Sequence, residues 1–545
     1  MNRFTGARFS PALHEALWLH HGTDAQKMSA ACAALLEPAA VYGGINVIQV
    51  LSAQIILKLL PLLNFLYSFE RWCDEVRGSR AAVAVSSAMQ AVLRPLADRS
   101  GVSVEWVSVS AAERIQCLRA KFYRPVAGWN EWTHVATGTD GPSGTQVDVL
   151  FTVCAGSPVK IVRRVAEQIA QAGLTSAAVT LEGTPIRDLP MPSCSPVTGR
   201  PFSRQRVDRG LERQMELVEP ELKAVFHYKG ISLWPLMRQV LLANIRTMSS
   251  AVAQAVDGLN ELFHKMRPKV LVVSNNSVWS DRVAILVARH AGIPSVAIQD
   301  GDYQPVWPWE ILSDRIAVQG EQSKRVLEAF GSPSAKIETT GQVRYDHLRA
   351  EPVNGQTRHT VRGKLGIGTS PLAVVATDPG SLTQGPAEKL RYESYVVDEF
   401  SAEPEWKLLF KLHPQDKGES VRQLAGKGTF LVVGSEFSAE ELIAACDLWI
   451  ATASTTAVEA AVLGRPVVLL DCDGHNFMRE LVETGLAVYV RAAGDLRRVV
   501  SCTPRGQIDA AVSAGREAFV RDRLYKLDGQ AAARVVALIR ETASI

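Results

Sequence analysis

Sulfur chemistry is thinly represented. The 545 residues include eight cysteines, scattered along the chain with no CxxC pair and no histidine at zinc-ligand spacing. That pattern supports neither a disulfide framework nor a structural zinc site. Reduced thiols packed in apolar surroundings are expected instead, and with them a cytoplasmic location. A charge excess is missing too: 59 basic and 56 acidic residues leave a formal charge of +3. Nucleic acid is therefore not expected as the main partner. The opening residues, MNRFTGARFS, lack the apolar stretch of a secretory signal. No short internal repeat is evident, so a solenoid or propeller is not expected.

Long hydrophobic runs are scarce, with one exception. Residues 44–67, GINVIQVLSAQIILKLLPLLNFLY, carry a single charge, Lys58. The length suffices for a membrane span. Asn46, Gln49, Gln54, Lys58 and Asn64 interrupt it, and Pro61 is expected to break or kink a helix there. Three placements stay open at this level: a buried helix pair, a peripheral contact with the inner membrane, and a true span. The polar interruptions favour the first.

What is present is material for large cores: 47% of the residues are hydrophobic and 21% charged. The length implies two or three domains. Residues 1–78 read as helical, without obvious strands. Strand patterns then begin at 81–85 and 102–109. A strand–loop–helix–strand unit follows, with VDVLFTV (147–153), the turn CAGSP, a helix at 159–172 and a strand at 176–181. Residues 183–210 read as a surface loop and 233–265 as a long helix. KVLVVS (269–274), PSVAIQ (294–299) and RIAV (315–318) are three more strands, with a helix at 281–291 between the first two. After a linker near 349–370 the pattern restarts. Strands are expected at 372–377, 407–411, 429–433, 448–452 and 466–470, and helix at 508–543. Short apolar strands alternating with helices predict parallel sheets covered on both faces. The expected division is 1–78, a helical segment; 79–348 and 349–510, two Rossmann-like lobes facing a cleft; and 511–545, closing helices. Ligands of such sheets bind beyond the carboxyl ends of the strands.

The strongest local signal is DLWIATASTTAVEAAVLGRPVVLLD, residues 447–471. A buried strand runs into Ser454, Thr455 and Thr456, where a helix begins. Hydroxyls and unpaired N–H groups at a helix start suit a phosphate, and the helix dipole adds to this. Glu459, one turn further in, can accept hydrogen bonds from a ribose diol. The alternative is a capping box from Thr456 to Glu459, which needs no ligand. Upstream, Lys411-Leu-His413-Pro ends the strand KLLFK. A lysine or protonated histidine there can neutralise charge on a departing phosphate, although a plain strand cap gives the same dipeptide. Asp300 and Asp302, after the strand PSVAIQ, are candidate bases or simply an Asp-Gly-Asp turn. Trp307 and Trp309 offer faces for stacking on a sugar, or packing for a hinge. Asn275 ends a strand where an acceptor contact or a helix cap fits. Asp471-Cys-Asp473 has a DxD spacing but reads as a loop, and no metal site is expected.

The stretches IPSVAIQDGD (293–302), SDRIAVQGEQSKRVLEAFG (313–331), KIETTGQVRYDHL (336–348), KLHPQD (411–416), STTAVEAAVLGRPVVLL (454–470) and DGQAAARVVALI (528–539) resemble GT-B glycosyltransferases of bacterial surface carbohydrate synthesis. That group includes capsule polysaccharide transferases, polysialyltransferases, CDP-glycerol glycerophosphotransferases and the UDP-N-acetylglucosamine 2-epimerase fold. The resemblance covers roughly residues 265–540. It implies a nucleotide sugar held by the C-terminal lobe, phosphate contacts from His413 and Ser454–Thr456, and a ribose contact from Glu459. It also implies a glycan or glycolipid acceptor and no cofactor. One departure stands out: many relatives read Gln-His-Gly where this chain has Gln299-Asp300-Gly301. Sugar epimerisation, transfer of a CDP-linked polyol phosphate and a non-catalytic nucleotide-binding subunit are the alternatives to glycosyl transfer.

Overall fold

The computed structural model describes residues 2–3, 11–78, 80–85, 87–108, 146–153, 158–181, 189–194, 212–274, 276, 278–301, 310–348, 355–378, 386–452, 454–471, 478–502 and 510–545. They form two compact units: Leu13–Arg344 with Ala531–Ile545, and Tyr345–Gln530.

The first unit opens with the helix Pro11–Ala40, followed by Val47–Val50 and Ser52–Glu75. Strands occur here as well, contrary to the all-helical expectation. β1 (Asn2–Arg3) joins β4 (Arg80–Val85) and β5 (Ser103–Ser108) in a parallel sheet, and β2 (Val41–Tyr42) pairs antiparallel with β3 (Ile45–Asn46). The turn between β2 and β3 needs two left-handed residues, and Gly43 and Gly44 supply them at φ 53° and 79°. The helix Ser52–Glu75 passes position 61 without a break, so of the two expected effects of Pro61 the break does not occur. Ile48, Val50, Leu51, Ile55, Ile56, Leu59, Leu63 and Leu66 are buried in the core of the unit. The apolar run is therefore a core element, and among the described residues no helix is long and apolar enough to cross a membrane.

Arg282 fastens this N-terminal segment to the rest of the unit. Its side chain is fully buried and donates to the Gln49 carbonyl at 3.0 Å, the Val50 carbonyl at 3.2 Å and the Glu310 carboxylate at 2.6 Å. Residues between Ala25 and Cys73 thus share a core with the lobe that follows rather than forming a separate segment.

The main sheet of the first unit contains β6 (Val149–Thr152), β7 (Ser176–Val179), β8 (Ser193–Cys194), β11 (Val270–Val273), β12 (Ser295–Ile298), β13 (Arg315–Val318) and β14 (Ile337–Thr339). All are parallel, in the order β14-β13-β12-β11-β6-β7-β8. A short hairpin, β9 (His227–Tyr228) with β10 (Ile231–Ser232), precedes the long helix Trp234–Met266. Alternate strand residues serve opposite faces. Leu150, Leu271, Val273 and Ile316 belong to the core shared by the helix Trp279–His290 and the N-terminal helices, whereas Phe151, Val270, Val272 and Ala317 belong to the core shared with the helices Pro158–Gln171 and Ala531–Ala543. The last of these corrects the expected closing segment: Ala531, Val535, Val536, Leu538 and Ile539 bury against the first sheet, while Ala510–Phe519 stays with the second unit. Each such aliphatic side chain contributes roughly 1.5–3 kcal/mol when fully buried.

The second unit contains β15 (Leu372–Ala376), β16 (Lys407–Lys411), β17 (Leu431–Val433), β18 (Leu448–Ala451), β19 (Val467–Leu470) and β20 (Ala487–Val490), parallel in the order β17-β16-β15-β18-β19-β20. The expected linker is not structureless: Gly355–Leu365 is a helix. Its Arg358 and Arg362 reach the carbonyls that end the helix Ala439–Ala445 and the Asp447 carboxylate. Two parallel-sheet α/β units, the fold class implied by the GT-B resemblance, are what the chain builds.

Candidate functional site

The topology of the second sheet selects its own ligand edge. The chain runs β15, β16, β17 to one side, then β18, β19, β20 to the other, so the order reverses between β15 and β18. In open parallel sheets, segments leaving the strands at such a reversal diverge, and ligands generally bind at the carboxyl ends there. Register places Ala376 beside Lys411, and Val375 beside both Phe410 and Ile450. Thr377–Asp378, Leu412–His413 and Thr452–Ser454 therefore leave at one edge. With strands spaced about 4.8 Å apart, β16 and β18 lie about 10 Å apart across β15.

Ser454 is the N-cap of the helix Thr455–Val462, in extended geometry, and its hydroxyl accepts from the Thr456 N–H at 3.3 Å. The cap is thus Ser454 rather than Thr456, and the alternative capping box from Thr456 to Glu459 is not the one formed. Ser454 Oγ and Thr456 Oγ1 are 2.8 Å apart, both half-buried, and Thr455 is exposed. The hydroxyls are therefore at the surface of the edge and not sealed in the core. Ala457, Val458, Ala460, Ala461 and Val462 are buried and hold the helix in place behind them. Glu459 lies in its second turn, 8% exposed.

His413 is held from three directions. Its backbone N–H donates to Thr377 Oγ1 at 3.1 Å, its carbonyl accepts from the Asp416 N–H at 2.8 Å, and its ring Nδ1 accepts from the Gln415 N–H at 3.1 Å. An imidazole whose Nδ1 accepts carries its proton on Nε2. Burial lowers the His413 pKa, against the opposing pull of Asp378 and Asp416. Burial thus favours the neutral ring, whose Nε2–H is available as a donor, over the protonated form that was one option from sequence. Lys411 is differently engaged from its expected role: its ammonium donates to the Gly434 carbonyl beyond β17, and burial lowers its pKa.

Beneath this edge lies a small cavity lined by Val375, Thr377, Asp378, Lys389, Glu393 and Thr452, among others. Lys389 and Glu393 come from the helix Pro386–Phe400, and both are buried. Burial pushes the Glu393 carboxyl up to about 7. Thr377, Asp378, Lys389, Glu393 and Asp416 were not singled out from sequence. The signal available was that LAVVAT runs into Asp-Pro-Gly as KLLFK runs into His-Pro.

In the first unit, Asp300 follows β12 and its carboxylate accepts from Arg344 at 2.7 Å. Its carbonyl accepts from Gln342 Nε2 at 3.2 Å, and Gln342 also donates to Gln319 Oε1 at 2.9 Å. Gln299 Oε1 in turn accepts from the Gln319 N–H at 2.8 Å. An acceptor engaged by a guanidinium fixes the turn after β12, which is a different task from taking a proton. Asn275, Asp302, Trp307 and Trp309 lie outside the described residues. Asp471, the first residue of the DxD spacing, is paired with Arg491 at 3.0 Å. Among the described residues, no group of three or more His, Cys, Asp or Glu side chains is placed to hold a metal ion. Cys32, Cys73, Cys194 and Cys446 are buried thiols whose pKa values burial raises.

No family model matches the chain, and no curated protein matches it. Among solved structures it is similar to the UDP-GlcNAc 2-epimerase of Neisseria meningitidis bound to UDP-GlcNAc, at 13% identity over 72% of this chain and 99% of that one, TM-score 0.45. It is also similar to Anabaena Alr3699/HepE in complex with UDP and glucose, at 13% identity over 72% and 100%, TM-score 0.40. A glycosyltransferase from Rickettsia africae ESF-5 is similar at 11% identity over 73% and 98%, TM-score 0.44.

Proposed function

We propose that the chain is a glycosyltransferase that moves a sugar from a nucleotide-activated donor, a CMP- or UDP-sugar, to a surface-polysaccharide or glycolipid acceptor. One observation carries the reading. The order reversal of the second sheet brings a capped helix start, with Ser454, Thr455 and Thr456, to the same edge as the His413 imidazole. That set is complementary to a phosphate: N–H and O–H donors, a helix dipole of the right sign, and a ring N–H whose neutral form burial favours.

In this reading the donor phosphate sits at the start of the helix Thr455–Val462 and takes a hydrogen bond from His413 Nε2. These donors stabilise the charge that grows on the nucleotide as the bond to the sugar breaks, and no step is routed through a metal. Glu459 is assigned to the ribose hydroxyls. Lys411 serves the site by bracing the turn beyond β17. Asp302 is the proposed acceptor base, because Asp300 is occupied by Arg344. Asn275, Trp307 and Trp309 are the proposed acceptor contacts.

A thermal-shift screen with CMP, CDP, UDP, GDP and dTDP tests the donor half, since a nucleotide that binds the folded state raises its melting temperature by mass action. One pyrimidine nucleotide is expected to act at low concentration. No shift with any of the five removes the reading. With the donor identified, incubation without acceptor separates transfer from epimerisation: an altered sugar in that tube replaces the first by the second. Asp302→Asn is expected to abolish transfer, and Asp300→Asn to leave it within a few-fold. Normal turnover by both variants eliminates the pair.

A further inference from the structure

The Lys389–Asp416 pair is an expensive feature to place under a ligand edge. Lys389 and Asp416 side chains are 8% and 6% exposed, in contact with each other, with Glu393 3.7 Å from the Lys389 ammonium. Taking two such charges from water costs several kcal/mol per ion before their attraction repays it, and well-packed apolar residues often do as well. Stability alone therefore gives little reason for the arrangement.

Its hydrogen bonds give a better one. Asp416 Oδ2 accepts from Lys389 and from Thr377 Oγ1, and Asp416 Oδ1 accepts from the Gly418 N–H at 2.9 Å. Thr377, whose hydroxyl donates to Asp416, accepts from the His413 N–H with the same oxygen. Asp416 closes the loop by donating its own N–H to the His413 carbonyl. Burial works to raise the Asp416 carboxyl, but the bonds from Lys389, Thr377 and Gly418 more than cancel it, so it stays ionised. A protonated Asp416 would have to surrender one of these acceptor positions.

We propose that Thr377 and Asp416 are positioning residues, anchored by Lys389, which fix the His413 turn so that Nδ1 stays an acceptor and Nε2–H is presented outward as a donor. Lys389 comes from the helix Pro386–Phe400, Thr377 from the end of β15, and Asp416 from the turn after β16. The chain of bonds thus couples three separate elements to the orientation of one ring. The significance of that orientation rests on the donor-phosphate reading above; the orientation itself does not.

Two measurements keep those apart. The first follows the His413 ring by nitrogen-15 NMR in full-length protein with labelled histidine, His413→Gln identifying its signals among those of the 11 histidines. The wild type is expected to show the Nε2–H tautomer at neutral pH and to protonate below the ordinary imidazole range. Thr377→Val keeps the shape but removes the hydroxyl, and is expected to mix the tautomers and raise the titration midpoint. Thr377→Ser is expected to restore both. Unchanged His413 signals in Thr377→Val, or failure of serine to restore them, overturn the proposal. Should Thr377→Val not yield folded protein, Asp416→Asn makes the same comparison.

The second measurement is nucleotide affinity, with UDP, CDP and CMP as probes. Thr377→Val is expected to weaken the nucleotide that binds by about 10-fold, the worth of one well-placed hydrogen bond to a charged group. Adding it to His413→Gln is expected to cost nothing more. Additive losses contradict action through His413. If none of these, nor GDP or dTDP, binds the wild type, the phosphate reading fails while the ring measurement still decides the positioning role.

Discussion

The carboxyl edges of the two main sheets belong to the same kind of parallel sheet and carry opposite chemistry. At the first, the polar groups are consumed internally: the Gln342 amide donates to the Gln319 side chain, the Gln319 backbone N–H donates to Gln299, and Arg344 takes up the Asp300 carboxylate. Nearby, Arg282 is spent on backbone carbonyls and Glu310. At the second, Ser454, Thr455 and Thr456 begin a helix beside an imidazole whose Nε2–H is not used in holding it. The difference teaches that an order reversal in a sheet supplies a place for a ligand, while the side chains at the edge determine whether donors point outward or are consumed internally.

The largest expected effect tests that separation from the structural side. Arg282→Met removes the guanidinium bonds to Glu310 and to the Gln49, Val50 and Asn276 carbonyls and is expected to cost about 3–5 kcal/mol. Urea unfolding reads the loss, and hydrogen exchange is expected to rise first in the peptides covering 47–75. Nucleotide binding by the surviving folded fraction is expected to be unchanged. If it disappears with the fold intact, the two edges are not independent.

His413→Ala is the converse. It is expected to lower the donor-dependent rate by about 100-fold, the scale for loss of one preorganised donor to developing charge, with little change in melting temperature. Wild-type turnover in this variant removes the phosphate role.

Next comes Glu393, beneath the second edge. Its carboxyl titrates at about 7 against an ordinary 4.5, with burial as the main cause. A raised carboxyl pKa means the folded state keeps a proton that the unfolded chain gives up. Its contribution is full below the ordinary Glu value and is lost as pH rises through about 7. Glu393→Gln is expected to abolish that slope and to raise stability at pH 8 by about 2–3 kcal/mol. Equal pH profiles for variant and wild type would show that Glu393 is already ionised in the folded protein. The smallest effect is Ser454→Ala. Loss of the cap costs about 1 kcal/mol of stability, read by thermal melts, with nucleotide affinity falling by less than in His413→Ala.

Much of the fold was legible because both main sheets are buried on both faces. Residues 270–273, 296–298 and 448–451 are completely buried, and a strand in that setting shows as an unbroken apolar run. β14 and β20 escaped notice for the opposite reason: Ile337–Thr339 and Ala487–Val490 lie at sheet edges with half-exposed residues, so the run is broken by polar or solvent-facing positions. The restart of the strand pattern pointed to a second unit, but the destination of the last helix was hidden. An apolar face on Ala531–Ala543 declares that something must cover it, not which sheet does.

The candidate site divides in the same way. His413 and Ser454–Thr456 were visible because each follows an apolar strand directly, so local order places them at a carboxyl edge. Lys389, Thr377 and Asp416 were invisible, since a lysine in a helix, a threonine ending a strand and an aspartate in a turn each have ordinary local explanations. What the amino-acid order determined by itself is what depends on neighbours in the chain: strand runs, helix starts and the cap at Ser454. What the tertiary structure alone decided is what depends on distant partners. The Lys389–Asp416 contact spans 27 positions and the Thr377–Asp416 bond 39. Those bonds, together with the lowered pKa of His413, arise from burial and proximity across a sheet, neither of which short-range pattern encodes.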